Sequence, residues 1–337
     1  MKKLPTNHNN LLLSIVIPIR NEADVIPTLM DRLTLVSRKL PVTTELLFVD
    51  DGSKDNSVAL LLESRHRYPH IRVLRLSRNF GKEAAVTAGL NHARGDAVIL
   101  MDADLQDPPE LIPQMVSEWR KGTDVVLMKR RSRAGESWLK RTTASLFYRL
   151  INRISDAPIP VDTGDFRLMS RRTIDALNQL PERNRYLKGM FAWVGMPTVT
   201  LGFDRDPRAA GHTKWNYFKL LQLAIEGITS FSIKPLRLAL VLGIMSAGAG
   251  GLFGLLEVLK ALFFGVSTPG YASMIAIITF LSGVQLLCIG ILGEYVGRIY
   301  MEAKQRPVFI VADDSDENEK AYKSSITMKG VSNDQNH

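Results

Sequence analysis

The sequence predicts an α/β chain: a doubly wound, mostly parallel sheet followed by a hairpin of two membrane-spanning helices. Apolar runs alternate with amphipathic segments from residue 12 to about 130, and such repetition of strand, helix and strand builds a parallel sheet covered on both faces. Two of the runs end in carboxylates, Leu46-Leu47-Phe48-Val49-Asp50-Asp51-Gly52-Ser53 and Ala97-Val98-Ile99-Leu100-Met101-Asp102-Ala103-Asp104. Ligand crevices of open α/β sheets lie at the carboxyl ends of the strands. Residues 238–256 and 261–293 contain no charged side chain, and a bilayer core of ~30 Å is crossed by about 20 helical residues.

Taken in order, strands are expected at 13–18, 45–50, 71–76, 96–101 and 124–128, and helices at 22–38, 54–67, 82–94 and 109–121. Met1 to Asn10 is polar, and Leu11-Leu12-Leu13-Ser14-Ile15-Val16-Ile17-Pro18 is too short for a secretory signal, so it reads as the first strand. Before the fourth helix, Asp107 is placed as a cap and Pro108-Pro109 suit a first turn. Residues 137–154 place Leu139, Leu146, Phe147, Leu150, Ile151 and Ile154 among Lys140, Arg141, Arg149 and Arg153. That is a basic amphipathic helix suited to a membrane surface, although a helix packed on the domain core has the same pattern. A second interfacial segment, 214–232, leads through Trp215, Tyr217, Phe218 and Phe231 into Lys234-Pro235.

The turn-rich Gly265-Val266-Ser267-Thr268-Pro269-Gly270 joins the two spans. Lys234 and Arg237 precede the hairpin, Arg298, Lys304 and Arg306 follow it, and its connecting loop has no cation, which sets both ends in the cytoplasm. The division expected is a cytoplasmic domain over 1–232, the hairpin over 233–305 and, because residues 306–337 are acidic and then polar, a solvated tail. The single Cys288 excludes an intrachain disulfide and a cysteine metal cluster and reads as a packing residue. The net charge of +9 comes without the interleaved aromatic and basic residues of a nucleic-acid module, so no nucleic-acid partner is expected. An anionic membrane surface and phosphorylated substrates account for it.

Asp102 and Asp104, spaced i, i+2 at a strand end, point the same way and can share one divalent cation, which in turn holds a diphosphate. This spacing points to a metal-dependent nucleotide-sugar site.

Ile15-Val16-Ile17-Pro18-Ile19-Arg20-Asn21-Glu22, Val49-Asp50-Asp51-Gly52-Ser53-Lys54-Asp55, Arg78-Asn79-Phe80-Gly81-Lys82, Met101-Asp102-Ala103-Asp104-Leu105-Gln106-Asp107 and Asp162-Thr163-Gly164-Asp165-Phe166-Arg167-Leu168 follow one another along the chain. In this order they resemble the family 2 glycosyltransferases. With the hairpin and Gly293-Glu294-Tyr295-Val296-Gly297-Arg298, the chain is most similar to polyprenyl-phosphate glycosyltransferases, above all the bactoprenol glucosyltransferases of O-antigen modification. The resemblance covers about residues 12–308.

The resemblance implies a GT-A fold and a metal-dependent, inverting hexosyltransferase of the bacterial inner membrane. It would move one sugar from a nucleotide diphosphate to undecaprenyl phosphate. UDP-glucose is the expected donor, ahead of a UDP-N-acetylhexosamine, a modified aminopentose or GDP-mannose. Mg²⁺ or Mn²⁺ would sit among Asp102, Asp104 and Gln106, all hard oxygen ligands. Pro18, Asn21 and Glu22 would hold the nucleotide base, while Asp50 and Asp51 would accept hydrogen bonds from base or ribose, or else cap the helix starting near Ser53. In Arg208-Ala209-Ala210-Gly211-His212-Thr213-Lys214, Arg208 and Lys214 would close over the diphosphate, or Lys214 is a surface charge.

Asp165 belongs at the acceptor, with Asp162 the competing carboxylate, and Arg130, Arg131 and Arg133 are placed for the lipid phosphate or for anionic headgroups. A homo-oligomer, a tetramer in that family, and coupling to a separate flippase are also implied. Two other functions compete. A processive polysaccharide synthase calls for a longer membrane channel and a Gln-x-x-Arg-Trp motif, which this chain lacks. A non-catalytic nucleotide-sugar-binding membrane scaffold predicts a degraded site, yet Asp102, Asp104, Gln106, Asp165, Arg208 and Lys214 are all present.

Overall fold

Leu12-Leu13-Ser14-Ile15-Val16-Ile17-Pro18-Ile19 offers water almost nothing, and in the computed structural model it is the central strand β1 (Leu12–Ile19). The structure describes residues 11–130, 163–183, 185–203, 234–264 and 270–316. After β1 come α1 (Ile26–Ser37), β2 (Thr43–Asp50), α2 (Ser57–Arg67), β3 (Ile71–Leu76), α3 (Lys82–His92) and β4 (Ala97–Leu100). A 3₁₀ turn, Pro109–Leu111, leads into α4 (Ile112–Arg120) and β5 (Val125–Arg130). Then follow β6 (Thr163–Ser170), α5 (Arg171–Asn178), α6 (Leu187–Trp193) and β7 (Thr198–Phe203). Two long helices, α7 (Lys234–Phe264) and α8 (Tyr271–Ala303), precede β8 (Val311–Asp314).

The strands form one mixed sheet in the order β7-β5-β6-β4-β1-β2-β3-β8. β1 pairs in parallel with β2 and β4, β2 with β3, and β5 with β7, whereas β6 runs antiparallel between β4 and β5. Central strands covered on both faces read as continuous apolar runs, and Leu13, Ile15, Ile17, Leu46, Phe48 and Ile99 are fully buried. Each contributes about 1.5–3 kcal/mol relative to exposure. α3 lies directly on this layer because Gly89 has no side chain; a Cβ there would come 2.3 Å from Val16 Cγ1. That close approach sets the height at which the start of α3 meets the strand ends.

Two expectations are corrected. Asp107 does not cap the turn after β4: Pro108 occupies the N-cap position, and no side chain caps the turn. Pro109 brings no N–H to that first turn, so less capping is needed there. The acidic segment after the hairpin is not solvated throughout. Residues 311–314 form β8, antiparallel to β3, and Asp314 and Ser315 are buried. Arg72 Nε donates to Asp314 Oδ1 at 3.0 Å and Nη2 to Oδ2 at 2.5 Å, while Nη1 donates to Glu45 Oε1 at 3.3 Å and to the His92 carbonyl at 2.8 Å. Of the acids in this segment Asp314 is the partner of the buried Arg72, while Asp316 pairs with Arg65 and Arg94. Residues beyond 316 lie outside the described residues.

The described residues divide into two compact units, one holding the sheet, its helices and residues 307–316, the other the two long helices. Ala239–Leu256 and Phe280–Ala303 are long and apolar enough to cross a membrane, with 6 % and 0 % of those windows buried. A soluble core helix would bury such residues; here side chains such as Phe263 and Leu286 are exposed, a surface that belongs in an apolar surround. Cys288 Sγ lies 3.5 Å from the Ala239 carbonyl of the neighbouring helix, as a packing residue should. The expected interfacial segments 137–154 and 214–232 lie outside the described residues.

Candidate functional site

The chain crosses from β1 to β2 and β3 on one side and returns to β4 on the other, so the strand order reverses beside β1. A crevice opens at the carboxyl ends at such a switch point. Here it is a cleft of about 290 Å³, lined by Pro18, Ile19, Arg20 and Glu22 after β1, Asp51 after β2, Gly81 and Lys82 at the start of α3, and Asp102, Ala103 and Asp104 after β4.

The loops that frame the cleft are stitched to one another. The Asn21 N–H donates to Ser53 Oγ at 2.9 Å, and its side-chain Oδ1 accepts the Lys54 N–H at 2.8 Å. Asn21 holds φ 54°, a left-handed conformation that asparagine tolerates. Asp50 accepts the Ser53 N–H at 3.0 Å, and Asp55 accepts the N–H groups of Ser57 and Ala23. Asp50 is buried and is not in the cleft lining; it shapes the turn, while α2 begins later, at Ser57. The Asp51 carboxylate accepts the N–H of Phe80 at 2.7 Å and of Gly81 at 3.0 Å, which anchors the loop carrying Lys82. Gly52 allows this crossing: it has φ +71°, and a Cβ would lie 2.8 Å from the Asn79 nitrogen.

β6 supplies the other half of the site. Its antiparallel register with β4 runs from Ala97↔Ser170 to Leu100↔Arg167, and continued past the strand end it sets Asp165 opposite Asp102. Lys82 Nζ lies between them, 2.6 and 2.8 Å from the two Asp102 oxygens and 2.6 Å from Asp165 Oδ2. Burial works against the Lys82 charge, but attraction to Asp102 and Asp165 outweighs it and holds the ammonium well above the ordinary lysine range. Burial also opposes the Asp165 carboxylate, yet Lys82 and Lys188 bring it down to about 2. Asp102 is pushed up, chiefly by burial, with Asp165 and Asp104 adding repulsion that Lys82 only partly offsets.

Two groups behind this cluster are shifted as well. Glu83 is raised to about 7 by burial and by the Asp165 charge. Arg167 is lowered to about 10 by burial; its guanidinium lies 4.0 Å from the Phe191 ring centroid and donates to the Gly164 carbonyl at 2.9 Å.

Of the residues expected at the site, the structure brings Pro18, Glu22, Asp51, Asp102, Asp104 and Asp165 together and places Asn21 in the framing loop. Gln106 is not among the residues that line the cleft. Leu105 has φ 59°, which breaks the strand alternation after Asp104, and Gln106 is buried, its N–H on Asp104 Oδ1 at 3.1 Å. Arg130 is the last residue of β5; Arg131, Arg133, Asp162, Arg208 and Lys214 lie outside the described residues. Sequence reading assigned no role to Lys82, Glu83, Lys188 or Arg20. Arg20 and Lys82 each stand inside one of the ordered motifs, and nothing local reveals that a lysine at position 82 meets acids from two distant strands.

Among the described residues, no group of three or more His, Cys, Asp or Glu is arranged to hold a metal ion. Asp102 and Asp104 are two hard-oxygen donors lining one cleft, and Mg²⁺ is commonly held by one or two carboxylates plus substrate phosphates. The donor set therefore fits a divalent cation that arrives with a diphosphate.

Residues 14–177 match the model of glycosyl transferase family 2, and residues 234–299 match the GtrB C-terminal hairpin. The chain is 49 % identical over 301 residues to an uncharacterized glycosyltransferase of Synechocystis sp., covering 89 % of this chain and 95 % of that protein. It is 44 % identical over 302 residues to the bactoprenol glucosyl transferase of Shigella phage SfV, covering 90 % and 98 %. A solved structure, mannosyl-3-phosphoglycerate synthase from Rubrobacter xylanophilus, aligns with TM-score 0.47 at 20 % identity, covering 65 % of this chain and 73 % of that one. The chain belongs to glycosyl transferase family 2: it is a glycosyltransferase, and its mostly parallel sheet is a GT-A fold.

Proposed function

We propose that this protein transfers a single glucose from UDP-glucose to undecaprenyl phosphate at the membrane, with inversion at the anomeric carbon. The observation that carries the reading is the convergence of Asp102 and Asp165 on one edge of a strand-end cleft, in a chain that matches a bactoprenol glucosyl transferase over nearly that protein's whole length. In this reading the cleft between β1, β2 and β4 takes the nucleotide, and Asp165 faces the acceptor. The hairpin holds the catalytic unit at the inner membrane of a bacterium with both chain ends in the cytoplasm, the orientation that the cations flanking the hairpin favour.

The chemistry follows from charge. A lipid monophosphate loses its second proton near pH ~6 and needs no strong base to become a nucleophile. Asp165, held at about 2, is a weak base, since an effective general base has a pKa near the operating pH. Its work is to orient the acceptor phosphate for attack on the sugar and to keep water from that position. Arg130, Arg131 and Arg133 receive the lipid phosphate, and Arg208 and Lys214 close on the donor diphosphate. Asp102 and Asp104 would hold Mg²⁺ or Mn²⁺, which would supply charge stabilisation for the departing nucleoside diphosphate. By family resemblance the enzyme works as a tetramer, with a separate flippase carrying the product across the bilayer.

The test is to incubate membranes containing the full-length protein with undecaprenyl phosphate and a panel of labelled nucleotide sugars, and to identify the lipid product by mass and its anomeric configuration by NMR. UDP-glucose should give undecaprenyl phosphate bearing one β-linked glucose. A lipid product formed only from another donor, a polymer, or no lipid product at all would overturn the assignment.

A further inference from the structure

Lys82 ties two acids from distant strands together through its ammonium group. Nζ donates to Asp102 Oδ2 at 2.8 Å and to Asp165 Oδ2 at 2.6 Å, and it lies in ion-pair contact with Asp102 Oδ1 at 2.6 Å. Its seat is prepared by other residues, because the Asp51 carboxylate fixes the backbone of Phe80 and Gly81 just before it. The cation therefore occupies both oxygens of one of the two carboxylates assigned to the metal, while Asp104 already accepts the Gln106 N–H on Oδ1. The other charged groups acting on this cluster are Lys188, Arg167 and Glu83, and the causes that shift Asp102 include none of these three. The Lys82 side chain is 47 % exposed to the cleft, and a lysine's four-carbon stem leaves its charge free to move to a new partner.

We propose that Lys82 is an internal stand-in for the divalent cation. It holds Asp102 closed to metal until a nucleoside diphosphate enters, so that metal and diphosphate are taken up together. The inference rests on the reading of Asp102 and Asp104 as metal ligands. The incoming diphosphate offers Lys82 an alternative anionic partner and offers the metal its missing oxygen ligands. Binding of the two is then positively coupled, and the coupling is reciprocal.

The experiment measures Mn²⁺ binding to the full-length protein in detergent by EPR and calorimetry, with and without UDP and with no acceptor present. In the wild type, UDP should tighten Mn²⁺ binding roughly tenfold or more, within the usual range for coupled sites. Lys82→Met should tighten Mn²⁺ binding in the absence of UDP by about tenfold, so that most of the coupling disappears. Lys82→Arg should retain the coupling. Lys188→Gln, which removes an equal charge without touching Asp102, should change either affinity by less than about twofold. Lys82→Gln keeps hydrogen bonding to the acids without charge and serves as the folded counterpart if the Met variant melts; each variant is checked by thermal denaturation. Mn²⁺ binding that depends on Asp102 and UDP but is unchanged in the Met and Gln variants would overturn the stand-in while leaving the metal site in place. Mn²⁺ binding that Asp102→Asn does not weaken, with or without UDP, would overturn both.

Discussion

Asp314→Ala should destabilise the catalytic unit far more than its place near the end of the chain suggests. Arg72 and Asp314 are only 4 % and 5 % exposed, and the pair is bidentate, at 3.0 and 2.5 Å. Removing one member of a buried ion pair strands its partner in a low-dielectric interior and costs about 3–5 kcal/mol. Arg72 retains Glu45 at 3.3 Å and the His92 carbonyl at 2.8 Å, which puts the loss near the lower end, about 3 kcal/mol. For a unit of this size 1 kcal/mol moves the melting temperature by roughly 2–4 °C, so a fall of about 6–12 °C is expected.

The assay is thermal denaturation of the full-length protein in detergent, followed by tryptophan fluorescence; Trp119 is buried between α4 and the sheet and reports on the catalytic unit. The combined change Arg72→Met with Asp314→Leu should regain most of the loss, because an apolar pair leaves no buried charge behind. Burial raises the Asp314 pKa, but hydrogen bonds from Arg72 outweigh it and hold the carboxyl below its ordinary value of 3.8. Its stabilisation is therefore full above that value and is lost as the pH falls below it, so wild type and variant should converge in acid. A melting temperature for Asp314→Ala within about 1 °C of wild type at neutral pH would refute the claim that β8 is an integral strand, since that shift corresponds to well under 1 kcal/mol. A chain ended at Ser232 loses β8 together with the hairpin, and should fold less stably for the same reason.

Four further outcomes are expected. Asp102→Asn, or chelation of the wild type, should remove most glucosyl transfer while leaving the protein folded, because the lost group acts on transition-state charge; radiolabelled transfer and a melting curve measure the two. Asp165→Asn should lower kcat at saturating lipid, whereas Arg130→Ala and Arg131→Ala should chiefly raise KM for the lipid; steady-state kinetics over a lipid series separates these, and an unchanged kcat for Asp165→Asn with normal KM in both arginine variants would move the acceptor site elsewhere. Gly52→Ala, at φ +71° and 2.8 Å from the Asn79 nitrogen, should cost about 1–3 kcal/mol and weaken UDP binding, measured by denaturation and calorimetry. Glu83, raised to about 7, disfavours the folded state once ionised. Stability should fall as pH rises from its ordinary 4.5 through about 7, and Glu83→Gln should flatten that slope in melts taken across the range.

Much of the fold was legible because it rests on local pattern. The unbroken apolar runs gave β1, β2 and β4 within a residue or two, and charge-free length marked α7 and α8. Acids at the ends of β2 and β4 identified the cleft, since a parallel sheet gathers those ends on one side. Helix starts were less legible: α2 was expected from residue 54 but begins at Ser57, after Asp55 has taken the Ser57 and Ala23 N–H groups into a turn.

What the sequence by itself determined was the strand ends that bear Asp51, Asp102 and Asp104 and the two long apolar helices, each a consequence of periodicity or spacing along a short stretch of chain, and, through the ordered motifs that resemble family 2, the class of enzyme. Tertiary structure alone decided the rest. It set Asp165 across from Asp102 through an antiparallel register between strands that are distant in sequence. It drew Lys82 between them by way of Asp51, and it turned an acidic segment beyond the hairpin into an edge strand because Arg72, buried at the start of β3, required a carboxylate. These are pairings of opposite charges and backbone groups from remote segments, and their energy depends on separation in space, for which separation along the chain gives no measure.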